Sequence, residues 1–305
     1  MILAAAAAAS LGAPAAALRP VATQAQAQAA GDEFVEIPFA PPVGRTLRYR
    51  LIRERTGDGP ARRSEVSFDV SFRRSGAFYI MRVQLVLPPG VPAPDAESAV
   101  ARIFSRPTEF RLDESGEMLE LLDLEEHWAT ADQVLQELDV ARQLDARGRA
   151  AVAQMIGQMR ALPPQAQLDL FARNVAPIVA AAGGAFPIGE ELAEERPAQS
   201  ILGELRQTAT IRVDAVERGI VRLSTRSNIS NEELQARVRT MFGNLAPPGQ
   251  DVGRMRILSN EVVETYEVSH STGLTLRYRA EMIVVTEENG ERLRAADVRT
   301  LEFVH

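Results

Sequence analysis

The sequence predicts an α+β fold dominated by β-structure: a curved antiparallel sheet of about ten strands, a meander or half-barrel, with a helical insertion packed on one face. Three observations predict it. Several segments alternate apolar and polar side chains with a period of two, short turn motifs separate them at hairpin spacing, and residues 124–182 switch to apolar stripes at helical spacing.

The strands are justified by their partners. Val66-Ser67-Phe68-Asp69-Val70-Ser71-Phe72 alternates as a strand with one buried face does. Ser75-Gly76 supplies a two-residue turn into residues 77–87, placing Phe72 opposite Tyr79, Val70 opposite Met81 and Asp69 opposite Arg82. Ser115-Gly116 sets Leu112 opposite Leu119 and Arg111 opposite Glu120. Glu217-Arg218-Gly219 reads as a three-residue loop with a left-handed glycine, setting Val213 opposite Leu223 and Asp214 opposite Arg222. Ser271-Thr272-Gly273, read the same way, sets Tyr266 opposite Tyr278, Val268 opposite Leu276, Val262 opposite Met282 and Glu267 opposite Arg277. Asn289-Gly290 is a strong hairpin signal and puts Tyr278 opposite Leu301 and Arg277 opposite Glu302. Gly183-Gly184 with Phe186-Pro187-Ile188-Gly189 reads as a helix stop and loop. The strand opening at residues 44–50 is echoed at residues 273–279 in six of seven places, which duplication of a half-domain would explain, as would two strands meeting the same demands; poorly aligned flanks favour the second.

Helices are expected at three places. Residues 95–104 carry a short helical pattern, and Asn231 is placed to cap a helix over residues 232–242. The large insertion carries Val134, Leu135 and Leu138 on one stripe and Met155, Ile156, Met159 and Leu162 on a second. Beyond Pro163-Pro164, Leu168, Phe171, Val175 and Val179 form a third. Stripes of this width face a core.

The opening of the chain sets the expected address. Residues 2–18 form an uncharged, alanine-rich apolar run, and Ala25-Gln26-Ala27-Gln28-Ala29-Ala30 offers A-x-A cleavage sites. That is the layout of a secretory signal, so residues 1–29 are expected to be a signal peptide and residues 30–305 a single β-rich domain. Gly12, Pro14 and Arg19 keep the run below the ~20 residues of a membrane span. With no Cys there is no lipid attachment of the bacterial lipoprotein kind, so the expected location is periplasmic or secreted.

Composition narrows the chemistry. A net charge of −7 repels phosphate backbones and argues against nucleic acid as partner. All 34 basic residues are Arg, which removes lysine nucleophiles and the P-loop lysine; the absence of Cys removes thiol catalysis, zinc-thiolate sites and disulfides. No cofactor or metal site is expected: His127, His270 and His305 lack a second ligand at helical spacing, and His127 reads as a cap or surface residue. Glu190, Glu191, Glu194 and Glu195 form an acidic run best explained as a solvated loop. No residue is singled out as catalytic.

The order of features resembles an uncharacterised group of exported bacterial β-rich proteins. The shared pattern is a Gly-x-x-x-x-Tyr strand opening at residues 44–49, a D-x-x-G hairpin at Asp113-Glu114-Ser115-Gly116, a helical insertion, the Pro/Gly loop at Pro187 and Gly189, and a strand after Ser271-Thr272-Gly273-Leu274. The chain departs from the group at Leu192, where the group has Trp. The resemblance implies a fold and an envelope location, and no catalytic residue. A looser likeness is to periplasmic lipoprotein carriers, whose curved half-barrel sheet holds acyl chains under a helical lid. The leading expectation is therefore a non-enzymatic soluble periplasmic protein that binds an apolar small molecule, lipid or lipid-modified partner between sheet and helices. Met155, Ile156, Met159, Leu162 and Phe171 are its candidate lining residues. The alternatives are a structural or interaction module of the envelope and, third, a carboxylate-based hydrolase.

Overall fold

A computed structural model describes residue 18 and residues 34–57, 59–86, 106–142, 153, 156–200, 203–243, 256–288 and 290–304. Thirteen strands are described. β1 (Phe34–Glu36) pairs with β7 (Ala185–Pro187) in a small two-stranded sheet. The other eleven form one antiparallel sheet. On one side of it lie β2 (Thr46–Thr56), β3 (Arg62–Ser75), β4 (Phe78–Val86), β5 (Thr108–Leu112) and β6 (Met118–Leu121). On the other lie β8 (Glu191–Ser200), β9 (Gly203–Glu217), β10 (Ile220–Ile229), β11 (Arg256–Ser269), β12 (Thr275–Glu288) and β13 (Glu291–Val304). The spatial order is β6-β5-β4-β3-β2-β13-β12-β11-β10-β9-β8: two meanders joined where the last strand returns beside β2.

The insertion between β6 and β8 therefore leaves from one edge of the sheet and re-enters at the other. It contains α1 (Leu124–Arg142), a helical run over residues 156–160, α2 (Pro164–Ala172) and a single 3₁₀ turn (Ala176–Ile178). Helix α2 packs against both β6 and β8. Eleven strands laid flat span about 48 Å at the usual spacing, whereas a helix with its side chains is about 10–12 Å wide. One helix touches both edges only because the sheet is strongly curved. A third helix, α3 (Asn231–Gly243), packs against β9 and β11.

Several registers depart from the sequence reading for identifiable reasons. In the β3–β4 hairpin Phe72 faces Met81 and Val70 faces Val83, two residues from the expected pairing. The turn is Gly76-Ala77, which puts the left-handed glycine (φ 63°) at the first central position, as a type II′ turn requires. A shift of two preserves the faces, so the apolar side was assigned correctly. Arg111 faces Glu120 as expected, but a bulge moves Leu112 opposite Met118. The β9–β10 connection is a two-residue turn with both Arg218 (φ 52°) and Gly219 (φ 78°) left-handed; Val213 faces Leu223, while a bulge leaves Arg222 opposite Ala215 rather than Asp214. The C-terminal meander has the expected pairs Tyr266–Tyr278, Val262–Met282, Glu267–Arg277, Tyr278–Leu301 and Arg277–Glu302. A bulge moves Val268 opposite Thr275. Arg277 ion-pairs Glu302 at 3.5 Å, and Glu267 binds Arg222 at 3.4 Å.

Other corrections concern helices and the loop around Phe186. The third apolar stripe is not one helix: α2 ends at Ala172, ahead of Pro177, which cannot donate to a helical ladder, and Val175 and Val179 are buried from turns. The segment read as a loop contains β7. Ser230, rather than Asn231, caps α3: its hydroxyl accepts from the Glu233 N–H, while the Asn231 amide donates to the Leu258 carbonyl. His127 is buried, at 1% exposure, where the sequence suggested a surface position. The expected helix at residues 95–104 and the cleavage tract lie outside the described residues, as do Met155 and the side chains of Val134, Leu135 and Leu138.

Candidate functional site

The curved sheet presents one face to an interior, and the chain after α2 runs across that face. Residues 178–182 are all buried, at 4% exposure or less. Thr275 of β12 donates its hydroxyl to the Pro177 carbonyl at 2.6 Å, pinning this plug to the sheet. Leu18 lies against it. Its side chain is fully buried, and its N–H donates to the Ala180 carbonyl at 2.7 Å.

At the plug's far end, three glycine turns meet. A Cβ on Gly116 would stand 2.9 Å from the Phe39 ring and 3.1 Å from Ala182. One on Gly183 would stand 2.5 Å from the Ser115 carbonyl oxygen, and one on Gly273 1.9 Å from that of Pro38. All three glycines are left-handed, with φ of 87°, 69° and 72°. Asp113 holds the first turn by accepting from the Ser115 N–H at 2.9 Å and the Glu117 N–H at 2.7 Å. His270 anchors β1 through its Nε2 and the Glu36 carbonyl at 3.0 Å. The D-x-x-G and S-T-G-L segments and the Gly183 turn, far apart in sequence, thus close one end of the interior around Phe39, itself edge-on to Tyr79 at 5.0 Å, whereas Gly189 of the Pro/Gly loop meets none of them.

The helices of the insertion cover the face through a packed aromatic knot. Trp128 of α1 donates its indole N–H to Gln167 at 2.8 Å and meets the Phe171 ring edge-on at 5.2 Å. The Gln167 amide donates to the Leu162 carbonyl at 2.8 Å, tying the run before Pro163 to α2. Of the candidate lining residues, Ile156 and Phe171 are buried in the core with the sheet, Met159 is half-buried against it, and Leu162 is half-buried. His127 lies 5.4 Å from Phe171; burial, and then the Arg106 charge, push its pKa below the ordinary value.

Along the sheet from the glycine-closed end, the buried face changes character. Tyr49, Leu51, Leu301, Tyr278 and Tyr266 form an apolar band. One step further along the same strands come Arg53, Arg55, Arg299, Asp297, Glu264, Thr225 and Ser227. Asp297, at 4% exposure, accepts from the Arg53 Nε at 2.9 Å and lies 3.5 Å from the Arg55 Nε and 3.6 Å from the Arg299 Nε. Burial works to raise the Asp297 pKa, but the Arg53 hydrogen bond and the surrounding guanidinium charges outweigh it and hold the carboxyl low. Arg173, just beyond α2, is within electrostatic reach of Arg299, Arg53, Arg55 and Asp297; burial first, and then those neighbouring cations, depress its pKa well below the usual value. The Glu264 carboxylate accepts from the Tyr278 hydroxyl at 2.7 Å and the Thr225 hydroxyl at 3.0 Å. Arg299 is 8% exposed, and its Nη2 has no hydrogen-bond partner among the described residues.

This polar band was not singled out from the sequence, although a signal was present. Asp297 and Arg299 are in phase with Leu301, Arg53 and Arg55 with Tyr49 and Leu51, and Glu264 with Val262 and Tyr266. Charges in phase with a strand's apolar side chains point inward. The acidic run instead opens edge strand β8: Glu190, Glu191 and Glu195 are exposed, and Glu191 faces Arg212 across the β8–β9 pair. No helix among the described residues is long and apolar enough to cross a membrane, and none of their acidic and histidine side chains group as a metal set.

The fold and site define an antiparallel half-barrel with a helix-bridged interior, part apolar and part cationic. No family model matches the chain, and no curated protein matches it. Among solved structures it is similar to the crystal structure of Rv2717c from M. tuberculosis, at 9% identity, over 84% of this chain and 91% of that one, with a TM-score of 0.23. So loose a superposition leaves the fold resting on the strand pairing itself.

Proposed function

We propose that the protein is a non-enzymatic carrier of the periplasm or cell exterior, holding an apolar ligand or the acyl chains of a lipid-modified partner inside the curved sheet. The helices of residues 124–182 form its cover. One observation carries this reading: the seat of Leu18. A single apolar side chain from the expected leader is fully buried against the plug and held by one backbone hydrogen bond. Signal cleavage after Ala27 or Ala29 would remove Leu18 and leave an apolar seat for another chain. The half-buried Met159 beside Ile156 supplies an adaptable wall.

The complete burial of residues 180–182 favours a second reading, a closed structural or interaction module. An environment-sensitive apolar dye, N-phenyl-1-naphthylamine, separates the two when added to processed protein from the envelope and to the full chain. A carrier takes up the dye saturably in the processed form and more weakly in the full chain, where Leu18 fills the seat. Absence of saturable uptake by either form overturns the carrier reading.

A further inference from the structure

We propose that the arginine band is a head-group site, and that the ligand is an apolar chain bearing one anionic group, a carboxylate or a phosphate. This rests on the carrier reading above and names its ligand class. Four guanidiniums, of Arg53, Arg55, Arg173 and Arg299, share this part of the interior with two carboxylates, of Asp297 and Glu264. Glu264 is committed to the Tyr278 and Thr225 hydroxyls. Asp297 is the carboxylate in contact with Arg53, Arg55 and Arg299. Arg53 engages both of its oxygens through Nε, at 2.9 and 3.0 Å, so Arg299 reaches it only as an ion-pair contact at 3.6 Å.

The consequence is a buried cation with an N–H directed at no acceptor, an arrangement costly for folding alone. Well-packed apolar residues would serve a purely structural core at least as well. Leu301, Leu51 and Tyr278 adjoin these residues on the same face and are buried there as ordinary core. A bound anion supplies the missing acceptor of Arg299, and the planar guanidinium fork matches carboxylate and phosphate oxygens. The apolar band directly alongside would hold the chain. Arg55, whose side chain is 41% exposed, marks where the band reaches water and where a charged head would enter.

Protein purified from its own envelope and stripped of lipid on a hydrophobic resin is titrated with hexadecanoate, hexadecyl phosphate, hexadecanol and acetate. At least one of the two anionic amphiphiles is expected to bind tenfold or more tighter than hexadecanol, with acetate much weaker. Arg299→Met should abolish the preference while keeping hexadecanol affinity, and Arg299→Lys, which retains charge without the fork, should reduce it. The acid–alcohol comparison on unmodified protein stands even where a variant fails to fold. Equal binding of anions and alcohol overturns the head-group site and leaves the carrier reading intact. Acetate matching hexadecanoate shows an anion site unrelated to a lipid and overturns the proposal. Uptake of no long-chain probe overturns the carrier reading itself.

Discussion

Replacing Gly273 with alanine, with Gly44→Ala as its matched control, separates backbone conformation from packing at the closed end of the interior. The two glycines hold equivalent places in the echoing strand openings and have similar left-handed φ values, 72° and 76°. A Cβ on Gly44 meets nothing within 4 Å, so this variant suffers only the left-handed penalty of about 1–2 kcal/mol, partly offset by about 0.4–1 kcal/mol of lost unfolded-state entropy. The net cost is about 1 kcal/mol. A Cβ on Gly273 stands 1.9 Å from the Pro38 carbonyl oxygen and 3.3 Å from the Ala182 Cβ, so the loop must withdraw. Overpacking adds about 1–3 kcal/mol, and losing the Ala40 N–H to Thr272 carbonyl hydrogen bond about 1 kcal/mol more. Gly273→Ala should therefore cost about 3–5 kcal/mol. Urea unfolding of both variants, with unchanged m-values, gives the difference directly. Equal losses would show that the S-T-G-L loop does not clamp residues 38 and 182.

Three further outcomes are expected. Asp297→Asn should cost about 3–5 kcal/mol by leaving the half-buried Arg53 and the buried Arg299 without their shared carboxylate. Because the folded pKa of Asp297 is depressed, its contribution is complete above the ordinary carboxylate pKa and lost as pH falls through the folded value, so the variant's stability should depend less on pH below about 4, as followed by circular dichroism. Burial lowers the His127 pKa from 6.5, so the folded state resists its protonation and stability falls as pH drops below about 6.5; His127→Phe, with no buried Nδ1 to satisfy, should flatten that slope in unfolding titrations between pH 7.5 and 5.5. Ile156→Asp should destabilise by about 3 kcal/mol or more, since a charge at a site 7% exposed has no partner, and an unchanged melting temperature would place residues 156–160 outside the core.

The sheet was legible because period-two alternation and turn chemistry are local. The turns alone fixed Tyr266 opposite Tyr278 and Arg277 opposite Glu302. The bulges at Leu112, Leu223 and Val268 were not legible, because an extra residue in one strand leaves no compositional mark. Strand β7 is three residues long, too short to show a period. His127 was misplaced because its neighbours Glu125 and Glu126 are exposed, and what buries it is Phe171, 44 positions away on another helix. The arginine band was hidden by the assumption that charges face solvent, which holds for Arg48 with Asp69 and Arg111 with Glu120 on the outer face. Strand phase distinguishes the two sets: Arg53 and Arg299 fall on the apolar parity and the outer pairs do not.

The most direct measurement is a native mass spectrum of the protein purified from its own cells in a detergent-free buffer. A carrier for anionic amphiphiles should appear with an added mass that is released on activation and detected in negative-ion mode as a fatty acid or phospholipid. A spectrum holding only the mass of the bare chain, from protein that also takes up no hexadecanoate, would contradict it.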